Sequence, residues 1–159
     1  MKPSEIIQAI KEALNLNRAQ IMHIYELESF AITKERLDGI LKNSSKKGAI
    51  NASYEELGVF LDGLIKYKRG QSKNSNNENE EDIILDNNLI LKKLRIAQNL
   101  KEYELAIIFE LADFKISKSA IKDMFRSPNH PKLKECDNKT LKAFLEGLNE
   151  FYYDSGEYL

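Results

Sequence analysis

Cysteine occurs once in this sequence, at position 136. A lone thiol forms no internal disulfide and cannot supply a zinc site built from several thiolates, which points to a reducing, cytoplasmic compartment. Histidine occurs only at positions 23 and 130. No His-Glu-x-x-His or EF-hand spacing accompanies it, so no metal is expected. None of the seven glycines stands in a GxxxxGK or GxGxxG arrangement, which excludes the glycine-rich phosphate loops, and no cofactor is expected. No apolar run approaches the roughly 18 residues that a membrane span needs. The opening Met1-Lys2-Pro3-Ser4-Glu5 meets an acid before any apolar stretch, against a signal peptide. Runs of alternating β-branched residues flanked by hairpin turns are missing too, so the expected class is all-α.

What is present is a repeat. Sliding the sequence over itself by 84 positions aligns two halves without a gap. Ala13, Asn15 and Leu16 fall on Ala97, Asn99 and Leu100; Ile24, Glu26, Leu27, Phe30 and Ile32 fall on Ile108, Glu110, Leu111, Phe114 and Ile116. Leu57, Phe60, Leu61, Gly63 and Leu64 fall on Leu141, Phe144, Leu145, Gly147 and Leu148. The expected organisation is a first helical repeat over 1–70, a flexible polar and acidic linker over 71–86, and a second repeat over 87–159 with an aromatic tail. Gln71 to Asp82 is polar and free of aromatics, unable to bury anything. Each half alone is near the lower size at which a domain stays folded, so the halves are expected to share apolar surface.

Four short helices are expected per repeat. Leu57, Phe60, Leu61 and Leu64, repeated as Leu141, Phe144, Leu145 and Leu148, follow the i, i+3, i+4, i+7 pattern of a helix with one buried face. Ser53 with Glu56 reads as a capping box, and Asp137 or Asn138 caps the counterpart. Gly63 and Gly147 sit inside these helices, where glycine costs about 1 kcal/mol relative to alanine; close approach of a neighbouring backbone is the expected compensation. Ile6, Ile7, Ile10, Ala13 and Leu14 mark a first helix, matched by Ile90, Leu91, Leu94 and Ala97. Asn17 and Gln20 open a second helix carrying Ile21, Ile24 and Leu27, matched by Leu105, Ile108 and Leu111. A third begins at Thr33 or Ser117 and carries Leu37, Ile40 and Leu41, or Ile121, Met124 and Phe125. The loops that follow differ: Asn43 to Gly48 in one copy, and in the other Arg126 to Cys136, where two prolines stop the helix.

These residues carry a family resemblance. Asn88-Leu-Ile-Leu-Lys-Lys-Leu-Arg-Ile-Ala97, Phe60-Leu-Asp-Gly-Leu-Ile-Lys-Tyr-Lys-Arg-Gly70, and Met124-Phe-Arg-Ser-Pro-Asn-His130 followed by Glu135-Cys136 and Phe144-Leu-Glu-Gly-Leu148 closely resemble the YehS-like family of bacterial proteins. That resemblance covers both copies and implies a small cytosolic protein with a duplicated domain. It supplies no reaction and no catalytic residue. The family pattern after the cysteine reads Gly-Asp, whereas this chain has Asp137-Asn138.

These residues fit three functional classes. A non-enzymatic binding protein, regulatory or an adaptor for a protein partner, is the principal expectation. Self-association through the aromatic tail, Phe151 to Leu159, is a variant of it, against Phe151 and Tyr152 simply completing the last helix. The alternative is nucleic-acid binding by the second repeat. Residues 88–151 hold twelve Lys and Arg against nine Asp and Glu, and Glu104 to Arg126 reads as helix, turn, helix. Lys118, Lys122 and Arg126 on the second of these helices, with Lys92, Lys93, Arg95, His130, Lys132 and Lys134, form the candidate contact set for nucleic acid or another partner. Against this reading, the turn Asp113 to Ile116 lacks glycine and Asp123 repels phosphate. The third class is a thiol enzyme using Cys136 and His130. Cys136 falls on Ala52 of the first copy, however, and His23 falls on Ile107, which favours a buried filler and an ordinary imidazole.

Overall fold

A computed structural model describes residues 1–70 and 85–155. The first repeat forms α1 (Pro3–Ala13), α2 (Arg18–Leu27), α3 (Lys34–Ile40) and α4 (Tyr54–Arg69). The second forms α5 (Asn87–Gln98), α6 (Glu102–Leu111), α7 (Lys118–Met124) and α8 (Asn138–Ser155). No strand occurs among the described residues. Of the expected linker, Gln71 to Ile84 lies outside the described residues. Leu85 is half-buried, and Asp86 caps α5 by accepting from the Leu89 N–H at 2.9 Å. The end of the aromatic tail, 156–159, also lies outside them, while Phe151 is half-buried and Tyr152 is buried on the last helix.

Local signals place the helix starts as expected. Asn17 and Gln20 exchange two capping bonds at 2.8 Å, and Ser53 and Glu56 do the same at 2.8 and 3.0 Å. Thr33 and Ser117 cap α3 and α7. Asp137 accepts from the Thr140 N–H at 2.8 Å and from its hydroxyl at 2.6 Å. The duplication reaches the backbone. Among the described residues, the non-glycine positions with positive φ are Asn15 and Asn99, at 54° and 52°, and Ser29 and Asp113, at 54° and 56°. They are two pairs of repeat-equivalent turns in the left-handed region, which Asn and Asp tolerate better than most residues.

The two repeats are not beads on a string. Helix α4 packs on α1 and α2 of its own repeat and also on α5. In the same way α8 packs on α5 and α6 and also on α1. Exchanging the copies maps the pair α4–α5 onto the pair α8–α1, the arrangement of a symmetric dimer fused into one chain. One continuous core results, containing Ile6, Ile10, Phe60 and Leu64 together with Ile90, Leu94, Phe144 and Leu148.

Both interior glycines meet a backbone. A Cβ built on Gly63 stands 2.3 Å from the Ile24 carbonyl oxygen, and one built on Gly147 stands 1.9 Å from that of Ile108. The close approach expected from the sequence is therefore real, at equivalent points of both repeats.

The second helices depart from expectation. Leu27 is half-buried and Leu111 is 37% exposed, while the third core position is filled by Tyr25 and Phe109. The i, i+3, i+4 set Ile21, Ile24, Tyr25 fixes the inward face, and position 27 lies two residues beyond it, off that face. The Tyr25 hydroxyl donates to the Glu56 carbonyl oxygen at 3.0 Å; Phe109 has no hydroxyl to satisfy.

Glu56 is buried and takes a two-pronged bond from Arg36 at 2.5 and 2.8 Å. Chiefly through Arg36, against the opposing cost of burial, its carboxyl is held below the usual range. A depressed folded-state value means that the native chain keeps its charge where the unfolded chain takes up a proton. The stabilisation is full above the ordinary Glu value of about 4.3 and is lost as pH falls through the folded value. Glu56→Gln should therefore flatten the acid limb of stability against pH while losing about 1 kcal/mol near neutrality. Parallel acid limbs for the two proteins would contradict this.

Candidate functional site

The loop after α7 is held by Asn88. Its Nδ2 donates to the carbonyl oxygens of Met124 and Lys134 at 3.0 and 2.8 Å, and its Oδ1 accepts from the Cys136 N–H at 2.9 Å. In the first repeat the equivalent Ser4 binds the Ile50 carbonyl and the Ala52 N–H at 2.9 and 2.6 Å. The longer amide reaches one more carbonyl, a role that Gln8 fills in the first copy by donating to Ile40 at 2.7 Å.

Within this loop the charges pair locally. Arg126 donates to Asp123 at 2.7 Å and lies 3.3 Å from Nε2 of His130, while the Lys132 N–H donates to His130 Nδ1 at 3.0 Å. Asp123 is held below the ordinary carboxyl range, first by the Arg126 hydrogen bond. The acid expected to repel phosphate thus engages an expected phosphate contact. Lys118, Lys122, Lys132 and Lys134 are exposed, as is Lys92 on α5.

Two members of the basic set turn inward instead. Lys93 is 7% exposed and forms an ion pair with Asp62 of α4, across the two repeats. Arg95 donates to the Leu100 carbonyl at 3.2 Å, and its guanidinium lies 5.0 Å from the centre of the Phe125 ring. The sequence carried a signal for Lys93: it stands three residues after Ile90 and four before Ala97, on the edge of the apolar face.

Cys136 is 2% exposed, and its Sγ lies 3.5 Å from the Asp137 carbonyl oxygen. Burial, with neighbouring carboxylates, pushes the thiol up to about 12. Catalysis by a thiolate needs the opposite shift. Native Cys136 should accordingly resist alkylation at neutral pH and react fully only in denaturant; a reaction step at or below pH 8 in the folded protein would contradict its placement. Among the described residues no three His, Cys, Asp or Glu side chains gather as metal ligands, and no helix is long and apolar enough to cross a membrane.

A feature that residue-type motifs did not reveal lies on the outer face of α6. Tyr103, Ile107 and Leu111, spaced four apart, are 67%, 39% and 37% exposed. They form one ridge along the helix. The first repeat has Ala19, His23 and Leu27 in the same places, so the fold does not demand large apolar residues at 103 and 107. The signal in the sequence was the helix Glu-Tyr-Glu-Leu-Ala-Ile-Ile-Phe-Glu-Leu, whose apolar residues circle the axis while only one face can reach the core. Beside the ridge an open groove of about 590 Å³ runs from α6 to the start of α7. Ala106, Phe109, Phe114 and Ile116 line it, together with the charged Glu110, Asp113, Lys115 and Lys118.

Comparison with known proteins agrees with the duplication. The chain is 32% identical over 148 residues to the uncharacterized protein YehS of Escherichia coli (strain K12), an alignment covering 93% of this chain and 94% of that protein. No solved structure matches. A family model, DUF1456, described as protein of unknown function, matches twice, over residues 5–70 and 87–152. Those two segments coincide with the two four-helix repeats, and the chain belongs to this YehS-like family.

Proposed function

We propose that this protein is a non-enzymatic, cytoplasmic, regulatory binding protein that docks a protein partner on the outer face of α6. The observation that carries the reading is the exposed ridge of Tyr103, Ile107 and Leu111, where the other repeat has the small Ala19 and the polar His23 in place of the first two. Contiguous exposed apolar surface on an otherwise well-packed protein marks interaction sites, and aromatic anchors are favoured there. A photocrosslinking phenylalanine derivative at position 107 should yield light-dependent protein adducts in a bacterial lysate, and the same residue at 23 should not. Equal labelling from both positions, or none from 107, contradicts the proposal.

A second reading, nucleic-acid binding, is favoured by the exposed Lys118, Lys122, Lys132 and Lys134 around α7, with His130 and Arg126 between them. It is weakened by the inward turn of Lys93 and Arg95 and by the Asp123–Arg126 pair. Because the chain has no Trp, co-purifying nucleic acid would dominate the ultraviolet spectrum. A tyrosine-only spectrum and no retardation of duplex or single strands at low salt remove this reading.

A further inference from the structure

We infer that the occupant of the α6 face is an amphipathic helix of another protein whose apolar stripe is flanked by Lys or Arg. The inference rests on the docking reading above and adds the chemistry of the partner. Residues spaced by four form a ridge that packs between the side-chain rows of a second helix, and the ridge from 103 to 111 runs for about 12 Å, two helical turns. A strand is a poor occupant, because the backbone of α6 is already satisfied within its own helix and offers no free edge.

Charge decides among the remaining occupants. Helix α6 carries Glu102, Glu104 and Glu110 and no Lys or Arg. Glu104 is engaged by the Lys101 N–H at 2.7 Å. Glu102 and Glu110 are exposed, as is Asp113 at the groove. Cations stand only off the helix, at the exposed N-cap Lys101 before it and at Lys115 and Lys118 after it, so the face itself carries only acids. A nucleic acid or an anionic lipid surface placed on the ridge would meet these acids and be repelled. A second copy joined α6 to α6 would set acid against acid on both flanks. A helix with basic flanks buries the same apolar ridge and gains complementary pairs at Glu102, Glu110 and Asp113.

The test uses the full chain and two fluorescent synthetic helices that share one leucine stripe, one flanked by lysine and the other by glutamate, with binding read by anisotropy. The lysine-flanked helix should bind at least about tenfold more tightly, a preference that falls with salt. Tyr103→Ala/Ile107→His, which installs the residues the first repeat already carries, should weaken that binding about tenfold with the fold unchanged by circular dichroism. Glu102→Lys/Glu110→Lys should reverse the preference. Equal binding of the two helices, or binding indifferent to both double substitutions, overturns the inference. So does concentration-dependent dimerisation abolished by Tyr103→Ala/Ile107→His, which would make a second copy the occupant. Crosslinking from position 107 with no preference for the basic helix defeats this inference alone; loss of crosslinking from 107 defeats the docking reading beneath it.

Discussion

Gly147→Ala is expected to destabilise the protein by about 3 kcal/mol, the upper part of the range for overpacking, although alanine is the better helix former. Propensity alone predicts a gain of about 1 kcal/mol for this change in a helix interior. The added methyl would stand 1.9 Å from the Ile108 carbonyl oxygen and 2.8 Å from its carbon, both backbone atoms that cannot rotate away. Helix α8 must then withdraw from α6, opening the contact between Phe109 and Phe144, whose ring centres are 5.6 Å apart. Gly63→Ala repeats the experiment at 2.3 Å from Ile24 in the first repeat and should cost somewhat less. Urea unfolding followed by circular dichroism gives both values. A gain in stability at either position would mean that α4 or α8 does not approach its neighbour as described.

Asp62→Ala should cost about 3 kcal/mol, because it withdraws the carboxylate facing a lysine that is almost wholly buried. Lys93 lies on α5 and Asp62 on α4, so the pair joins the repeats. Nearby, Arg69 donates to the Ile96 carbonyl at 3.1 Å across the same helix pair. The equivalent positions on the other side of the pseudo-symmetric contact are Ala9 and Glu146, which form no such pair, and Glu146 is exposed. Lys93→Met, which keeps the long apolar stem without its charge, should cost less than Asp62→Ala, and the double variant Asp62→Ala/Lys93→Met less than the sum of the two. Additive losses would show that the two side chains do not act on each other.

Much of the fold was legible because it is written twice. The 84-residue offset, the caps at Asn17, Thr33, Ser53 and Ser117, and the paired glycines each rest on local chemistry that a single sequence carries. What escaped depended on which face of a helix meets a neighbour. Leu111 and Phe109 are both apolar, and only the inward set Leu105, Ile108, Phe109 separates the core residue from the exposed one. Lys93 stands at the edge of the apolar face in the sequence, but what holds it inward, Asp62 on α4, lies in the other repeat and no local spacing points to it. The basic residues are neighbours along the chain, whereas in space Lys118, Lys122, Lys132 and Lys134 are exposed around α7, Lys93 faces Asp62 of α4 and Arg95 lies on Phe125. The α6 ridge was hidden for a simpler reason: apolar residues in a helix are first assigned to a core.

The most direct measurement for the fused, pseudo-symmetric core is native-state hydrogen exchange followed separately in α2 and α6 as urea is raised. Shared packing of α4 on α5 and of α8 on α1 predicts that the slowest amides of both helices converge on one unfolding free energy and one urea dependence. Two distinct free energies, with one repeat opening while the other stays protected, would contradict a common core.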